Sequence, residues 1–291
     1  MANHSSLVID AQARLGEGAI WDYDRKALWW IDIIPGKLHC YDPVTDSDRE
    51  WDMGQMIGTV VTRQSGGLVV ALENGFAAFD PDSGELSFLA DPEEHIPTNR
   101  FNDGKCDPRG RFWAGTMAIS EVPEAGALYC LDNGQCSKHL ENISVSNGIV
   151  WTADQKTMYY IDSPTRKIEA FDYDIETGEI SNRRTAVDVP EGVGNPDGMT
   201  IDTDDNVWVA MWGGWCVLQF DPRSGQLLER IEVASSNVTS CAFGGEDLQD
   251  LYITSARNNI EKSSNPDQPQ GGGVFRYRTA ARGVKAFAYG G

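Results

Sequence analysis

Glu17, Asn102, Asn147 and Asp197 occupy one place in an internal repeat, each five positions ahead of the residue that closes a short apolar run: Asp22, Asp107, Thr152 and Asp202. Oxygen-bearing side chains delivered by successive copies of a repeat can converge on a single point. Two carboxylates with two amide oxygens suit a hard divalent cation, and Ca²⁺, Mn²⁺, Mg²⁺, Zn²⁺ and Fe²⁺ all accept such oxygens to some degree. Arg100, two residues before Asn102, adds a cation able to hold oxygen atoms of a polar ligand, or else to pair with Asp103 or Glu73. Taken one at a time, Asn147-Gly148, Asp197-Gly198 and Asn102-Asp103-Gly104 are also strong turn signals. Glu17 does not fit a turn, since glutamate is poor at positive φ, and independent turns need no shared offset.

The scaffold that must bring these residues together is legible in a phrase that returns six times. It reads Leu28-Trp-Trp-Ile-Asp, Leu68-Val-Val-Ala-Leu, Phe112-Trp-Ala-Gly-Thr, Met158-Tyr-Tyr-Ile-Asp, Val207-Trp-Val-Ala-Met and Leu251-Tyr-Ile-Thr-Ser, with first residues 40, 44, 46, 49 and 44 apart. Short β-branched and aromatic runs at this period are the signature of propeller blades. The fold expected is all-β: a six-bladed β-propeller with four antiparallel strands per blade, forming one domain over residues 1–291.

Each copy keeps its order. The run that starts with the special residue comes first, the phrase follows 10 to 12 residues later, and a third run ends in a turn, as in Leu38-His-Cys-Tyr-Asp-Pro or Val217-Leu-Gln-Phe-Asp-Pro. Asp-Pro followed by Ser-Gly or its relatives at 42, 80 and 221 is structural turn chemistry, with Pro presetting φ and Gly accepting positive φ. The second and sixth copies hold Gly58 and Thr239 at the special place. Ser6-Leu-Val-Ile-Asp is expected to supply the outer strand of the last blade and so hide an open edge, with the tail Val284-Lys-Ala-Phe-Ala-Tyr as the alternative.

If the special residues begin the inner strands, the connections between second and third strands lie on the same face and rim the pocket. Two of these are long, from Met117 to Gly126 and from Arg257 to Gly273, and read as a lid or specificity wall or as exposed slack.

Bulk properties narrow the function classes. The net charge of −20 repels a phosphate backbone and argues against nucleic-acid binding. No run of about 18 apolar residues marks a membrane span, and the start, Met-Ala-Asn-His-Ser-Ser, lacks the basic and apolar regions of a signal peptide. Six cysteines without a Cys-x-x-Cys pair read as reduced, buried thiols, which points to the cytoplasm. The four histidines form no His-x-x-His pattern, so a histidine-rich zinc centre is not indicated.

Gly16-Glu-Gly-Ala-Ile-Trp, Asn99-Arg-Phe-Asn-Asp-Gly-Lys105, Arg111-Phe-Trp-Ala-Gly-Thr-Met117, Ser146-Asn-Gly-Ile, Phe171-Asp-Tyr-Asp-Ile-Glu-Thr-Gly-Glu-Ile-Ser-Asn-Arg-Arg184, Pro196-Asp-Gly-Met and Cys241-Ala-Phe-Gly-Gly245 resemble the SMP-30/gluconolactonase (regucalcin) family of six-bladed propellers over nearly the whole chain. The resemblance implies a metal-dependent carboxylic-ester hydrolase opening small-molecule sugar (aldono-) lactones. It implies that Glu17, Asn147 and Asp197 bind one divalent metal ion and that Asp197 doubles as general base. It further implies that Arg100 grips substrate hydroxyls, that Asn102 touches the metal or a metal-bound water while contacting the sugar, and that Asp103, Met117 and Glu121 are substrate-binding residues. The acidic substrate contact of the family's lid falls by direct count on Ser120, with Glu121 one position on.

In that reading the cation polarises the lactone carbonyl and acidifies bound water, and an aspartate beside it accepts the proton. No Gly-x-Ser-x-Gly is present and no nucleophilic serine is required. Hydrolysis of another ester, such as an organophosphate, on the same metal is the nearest alternative. A non-enzymatic calcium-binding propeller is the third. A rim of Arg100, Asn102 and Glu121 favours a polyhydroxylated ligand over a phosphotriester, which would prefer an apolar mouth.

Overall fold

In the computed structural model, which describes residues 3–262 and 265–291, each repeated phrase becomes the second strand of a four-stranded antiparallel sheet. These second strands are Ala27–Asp32, Leu68–Leu72, Phe112–Ala118, Thr157–Asp162, Val207–Trp212 and Asp250–Ser255. They are buried over almost their whole length because neighbouring blades cover both faces. Burial on both faces is why they read as continuous apolar runs rather than alternating ones. Outer strands such as Ser47–Asp52 and Leu86–Ala90 are mostly exposed.

The special residues fall on the inner strands: Gly16–Asp22, Ile57–Thr62, Asn99–Cys106, Ser146–Trp151, Asn195–Ile201 and Val238–Gly244. The fold is a six-bladed β-propeller. Among the described residues the helical segments are the 3-10 turns Ser163–Thr165 and Ile260–Lys262, and no helix is long and apolar enough to cross a membrane.

The residue closing each inner strand fastens the blade. Asp22, Asp107 and Asp202 accept the indole N–H of Trp29 (3.1 Å), Trp113 (2.9 Å) and Trp208 (3.0 Å) from the adjoining second strand. The same carboxylates accept backbone N–H groups of the following turn. Blade 4 carries Thr152 and Tyr159 instead, and the Thr152 hydroxyl receives the N–H of Thr157 (3.1 Å). The Asp-Pro turns behave as expected, with Asp42, Asp80 and Asp221 accepting the N–H of Val44, Asp82 and Arg223 at 2.8, 2.8 and 3.0 Å.

The N-terminal segment closes the ring. Ser6–Ile9 pairs antiparallel with Val274–Arg278 as the outer strand of blade 6, so the N-terminal run and not the tail holds that place. Asn3–His4 departs from four strands per blade, adding parallel to Gln226–Glu232 as a fifth strand of blade 5. Trp21 of blade 1 stacks on Tyr252 of blade 6 at 5.5 Å and 8° across the seam.

The tail crosses the far mouth of the central channel instead. It hydrogen-bonds to blade 5 through Val284 N–H to Ile201 O and to blade 2 through Tyr289 N–H to Thr62 O. All six cysteines are free thiols, and burial pushes them up from the usual thiol range where a shift is resolved.

Asp107 bears the heaviest latch. It is fully buried and accepts from Trp113, from Arg111 Nε (2.7 Å) and from the Tyr173 hydroxyl of blade 4 (2.7 Å). Asp107→Ala leaves the buried guanidinium without its counter-charge and should lower unfolding stability by about 3–5 kcal/mol. Asp22→Ala, whose neighbour Arg25 is largely exposed, should cost about 1–2 kcal/mol. Urea denaturation of both variants checks the order, and equal losses would contradict it.

Candidate functional site

Every inner strand carries a register shift against its second strand at the special position. The paired register breaks between Glu17 and Ile20, Ile57 and Thr59, Phe101 and Gly104, Ser146 and Ile149, Pro196 and Met199, and Val238 and Ser240, each time with one extra residue on the inner strand. Such bulges re-aim side chains. Asn147-Gly148 and Asp197-Gly198 are therefore not turns between blades but bulges within strands. Their glycines serve close approach: a Cβ on Gly148 would lie 2.8 Å from the backbone N of Met199, and one on Gly198 would lie 2.9 Å from Thr239 O.

Glu17, Asn102, Asn147 and Asp197 come together at the channel mouth, each buried yet lining one pocket of about 340 Å³. The two blades without a carboxylate or amide at this height use the same place to hold a neighbour. The Thr239 hydroxyl donates to the carbonyl of Gly16, next to Glu17. At Gly58 any Cβ would sit 2.4 Å from Phe101 O, beside Asn102. Entry into two ligand strands is also clamped. Asp32 accepts the N–H groups of Arg14 and Leu15 (both 2.8 Å), and Asp162 those of Ser144 (3.2 Å) and Val145 (2.8 Å).

A hydrogen-bond relay fixes the two amides. Arg100 Nη1 donates to Asn102 Oδ1 (2.7 Å), and Asn102 Nδ2 donates to Ser146 O (2.7 Å) and Asn147 Oδ1 (3.2 Å). Asn147 Nδ2 then donates to Ser163 Oγ (2.7 Å), whose hydroxyl donates to Pro196 O (2.6 Å), next to Asp197. With its amide nitrogen committed to Ser163 and one lone pair of its oxygen to Asn102, Asn147 keeps the other lone pair able to accept. Among the described residues Arg100 has no ion pair with Asp103 or Glu73. Burial brings its guanidinium down to about 10, still protonated at neutral pH, with Glu17, Glu121 and Asp197 opposing the fall.

Met117 and Glu121 also line the pocket, Glu121 at a positive φ of 58° in the loop after Met117. Ser120 is exposed and off the pocket wall, whereas Glu121, the acidic residue one position on, lines it. Asp103 is not on the wall either. It follows Asn102 in the bulge, so the two face different ways; its Oδ1 accepts Gly104 N–H (2.7 Å), and its buried Oδ2 has no partner. Beyond it, Lys105 Nζ donates to Met199 O (3.0 Å). A cavity of about 60 Å³ at the far end of the channel is lined by Lys105, aromatics and the tail, and no carboxylate faces it. The loop from Arg257 to Gly273 brings Asn258 and Asn259 to the mouth; residues 263 and 264 within it lie outside the described residues.

Ser163, Trp212, Ile33, Asn195 and the two asparagines line the mouth without having stood out in the sequence. A signal for three of them existed. Ile33, Glu73, Met117, Ser163, Trp212 and Ala256 each stand five positions after the first residue of the repeated phrase. Four of these six line the pocket, forming a tier above Glu17, Asn102, Asn147 and Asp197. Because the six side chains share no chemical type, the register is the only trace of that tier in the sequence.

The electrostatics fit a divalent cation. Burial, and then the charges of the neighbouring carboxylates, push both Glu17 and Asp197 far above the ordinary carboxylate range, and the two lie within hydrogen-bonding reach of each other. Two buried carboxylates facing one another demand a shared proton or a positive ion. The anionic donors number two, matching a +2 charge, with amide oxygen completing an all-oxygen set. Among the described residues no group of three or more His, Cys, Asp and Glu side chains is placed to hold a metal.

Comparison with known proteins places the chain among relatives. The SMP-30/Gluconolactonase/LRE-like region family matches residues 15–257. The chain is 38% identical to regucalcin of Xenopus laevis, over 97% of this chain and 95% of that one. It is 34% identical to YvrE of Bacillus subtilis (strain 168), whose name provisionally makes it a sugar lactone lactonase, over 98% of both chains. The crystal structure of a calcium-binding protein, regucalcin, from Agrobacterium tumefaciens superposes with a TM-score of 0.94 at 26% identity, covering 99% of this chain and 98% of that one.

Raised carboxyls give the cation a pH signature. The cation-free folded protein keeps a proton that the unfolded chain releases, so its stability falls as pH climbs from 4.5, the ordinary glutamate value, through about 8, where Glu17 ionises. A bound cation replaces that proton, so the stabilisation it confers should grow across the same window. Thermal midpoints with chelator and with saturating calcium check this; a difference that stays constant with pH would contradict it.

Proposed function

The chain belongs to the SMP-30/gluconolactonase/LRE-like family, and on that premise we propose that it is a metal-dependent hydrolase that opens sugar lactones to aldonic acids. The observation that carries the reading is the meeting of Glu17, Asn147 and Asp197 at the floor of a pocket whose walls pair polar groups with apolar ones. Arg100, Glu121, Asn195, Asn258 and Asn259 offer donors and acceptors to hydroxyls, while Leu15, Ile33, Val145 and Pro164 offer apolar surface. A polyhydroxylated ring presents both kinds of surface. A phosphotriester would leave the charged and amide groups of the rim unanswered.

Glu17, Asn147 and Asp197 would hold the divalent ion, which when bound supplies electrophilic activation of an ester carbonyl and of water. The all-oxygen donor set favours a hard ion, and the calcium named for the Agrobacterium relative is of that kind.

The protein's own groups supply the rest. Asp197 is the general base: its buried carboxylate lines the pocket and accepts a proton as water attacks the lactone carbonyl. The proton then passes to the departing ring oxygen, which becomes the hydroxyl of the aldonic acid. Asn102, tied to Arg100, Ser146 and Asn147, keeps Asn147 in one orientation through the cycle. Among the described residues Arg100 donates through Nη1, to Phe101 O and Asn102 Oδ1. The side chain lines the pocket, where its other N–H groups would suit substrate hydroxyls or the carboxylate of the product.

Gluconolactone, xylonolactone, arabinonolactone and galactonolactone opening, followed by acid release with and without chelator, is the assay. Hydrolysis of at least one, abolished by chelator and restored by a divalent ion, is expected; chelator-insensitive opening, or none, would sink the reading. Asp197→Asn should fold yet lose at least about 10²-fold in kcat, and near-normal turnover would remove it as the base. Glu17→Gln should act mainly on cation affinity, seen as a higher midpoint in a metal titration.

A further inference from the structure

The tier above the oxygen ligands has one aromatic member. Trp212 ends the second strand of blade 5, and register pairs it with Asn195 and its neighbour Met211 with Pro196, just before the bulge that carries Asp197. It therefore stands on the same blade as the proposed base and two residues up the strand, about 7 Å of rise, which is room for one sugar ring.

Trp212 is also set apart from the other tryptophans. Of the nine in the chain, seven have a ring partner: Trp21, Trp29, Trp30, Trp51, Trp113, Trp151 and Trp208. Trp215 lies by the N-terminal strand, away from the channel. Among the described residues the Trp212 ring stacks on no other aromatic and its indole N–H donates to no group, while its side chain lines the pocket. Among the described residues neither a ring contact nor an indole hydrogen bond accounts for a half-buried indole there.

We propose that Trp212 is the platform on which the C–H face of the substrate ring lies, and hence a specificity-determining residue for cyclic sugar substrates; this rests on the lactonase reading. An indole face is electron-rich and is complementary to the slightly positive C–H groups of a sugar. A ring lying flat on it turns its hydroxyls edgewise. The edge toward blade 3 meets Arg100 and Glu121, and the edge toward blade 6 meets Asn258 and Asn259. Its ester carbonyl comes down beside Asp197. Ile33 and Met117, on other blades of the same tier, are apolar but not flat, and Ser163 is committed to Asn147 and Pro196. Acyclic esters, which have no flat face to lay down, gain nothing from the platform.

Trp212→Ala and Trp212→Phe test it, with steady-state kinetics on gluconolactone and calorimetric titration of both gluconate and calcium. Trp212→Ala should raise KM about tenfold, change kcat by less than about threefold, and leave calcium affinity unaltered; Trp212→Phe should recover most of the KM. An unchanged KM in Trp212→Ala, a loss of calcium affinity alongside it, or a Phe variant no better than Ala would overturn the platform. Should the wild-type protein open no aldonolactone, the lactonase reading fails by itself and the titrations still decide. Gluconate binding lost in Trp212→Ala and kept in Trp212→Phe sustains the platform; equal binding to all three, or binding to none, refutes it.

Discussion

One extra residue in each inner strand is the constraint from which the site follows. In a regular strand, consecutive side chains point to opposite faces, and in a propeller those faces are the packed surfaces between blades. A side chain can turn toward the axis only where the ladder is broken. All six blades break it at the same height, between pairs such as Ser146 and Ile149 or Pro196 and Met199. Two of the six use that height to hold their neighbours, through the Thr239 hydroxyl and the room left at Gly58. The remaining four deliver oxygen. Precision at the mouth is thus produced by strands rather than loops, which suits chemistry that tolerates little displacement.

Bringing the oxygens together has an electrostatic cost that shapes everything around them. Glu17 and Asp197 are buried and within reach of each other, and Asp103 lies close enough beneath to push both further from ionisation. Lys105 and Arg100 offset part of this from either side: Lys105 favours the ionised form of Glu17, and Arg100 feels both carboxylates. The protein's own cations thus compensate the carboxylates only in part, which suits the bound cation proposed above. The relay from Arg100 through Asn102, Asn147 and Ser163 to Pro196 O then makes the neutral donors as fixed as the charged ones.

The fold was legible because its most buried strands are also its most repetitive ones. Trp29, Trp113 and Trp208 recur since each must reach an aspartate at the end of the inner strand, so phrase and latch appear together in the sequence. The convergence of Glu17, Asn102, Asn147 and Asp197 on one pocket was legible by register, although Asn-Gly and Asp-Gly mimic turns. A glycine needed for close strand approach and one needed for positive φ look identical in a sequence. Other features left weaker traces. Trp212 and Ser163 share a register with Met117, but six unlike side chains conceal it. Asp103 sits beside a ligand in the chain and faces elsewhere because a bulge separates neighbours. The parallel addition of Asn3–His4 to blade 5 depends on backbone pairing alone, and two residues carry no periodic signal.

The central claim is that strands remote in sequence meet around one ion. Diffraction from crystals grown with calcium, read in an anomalous difference map, addresses it most directly. A single peak on the propeller axis, about 2.3–2.6 Å from oxygens of Glu17, Asn147 and Asp197, is the expected result. A map without a peak there at saturating calcium, with the two carboxylates turned apart, would contradict it.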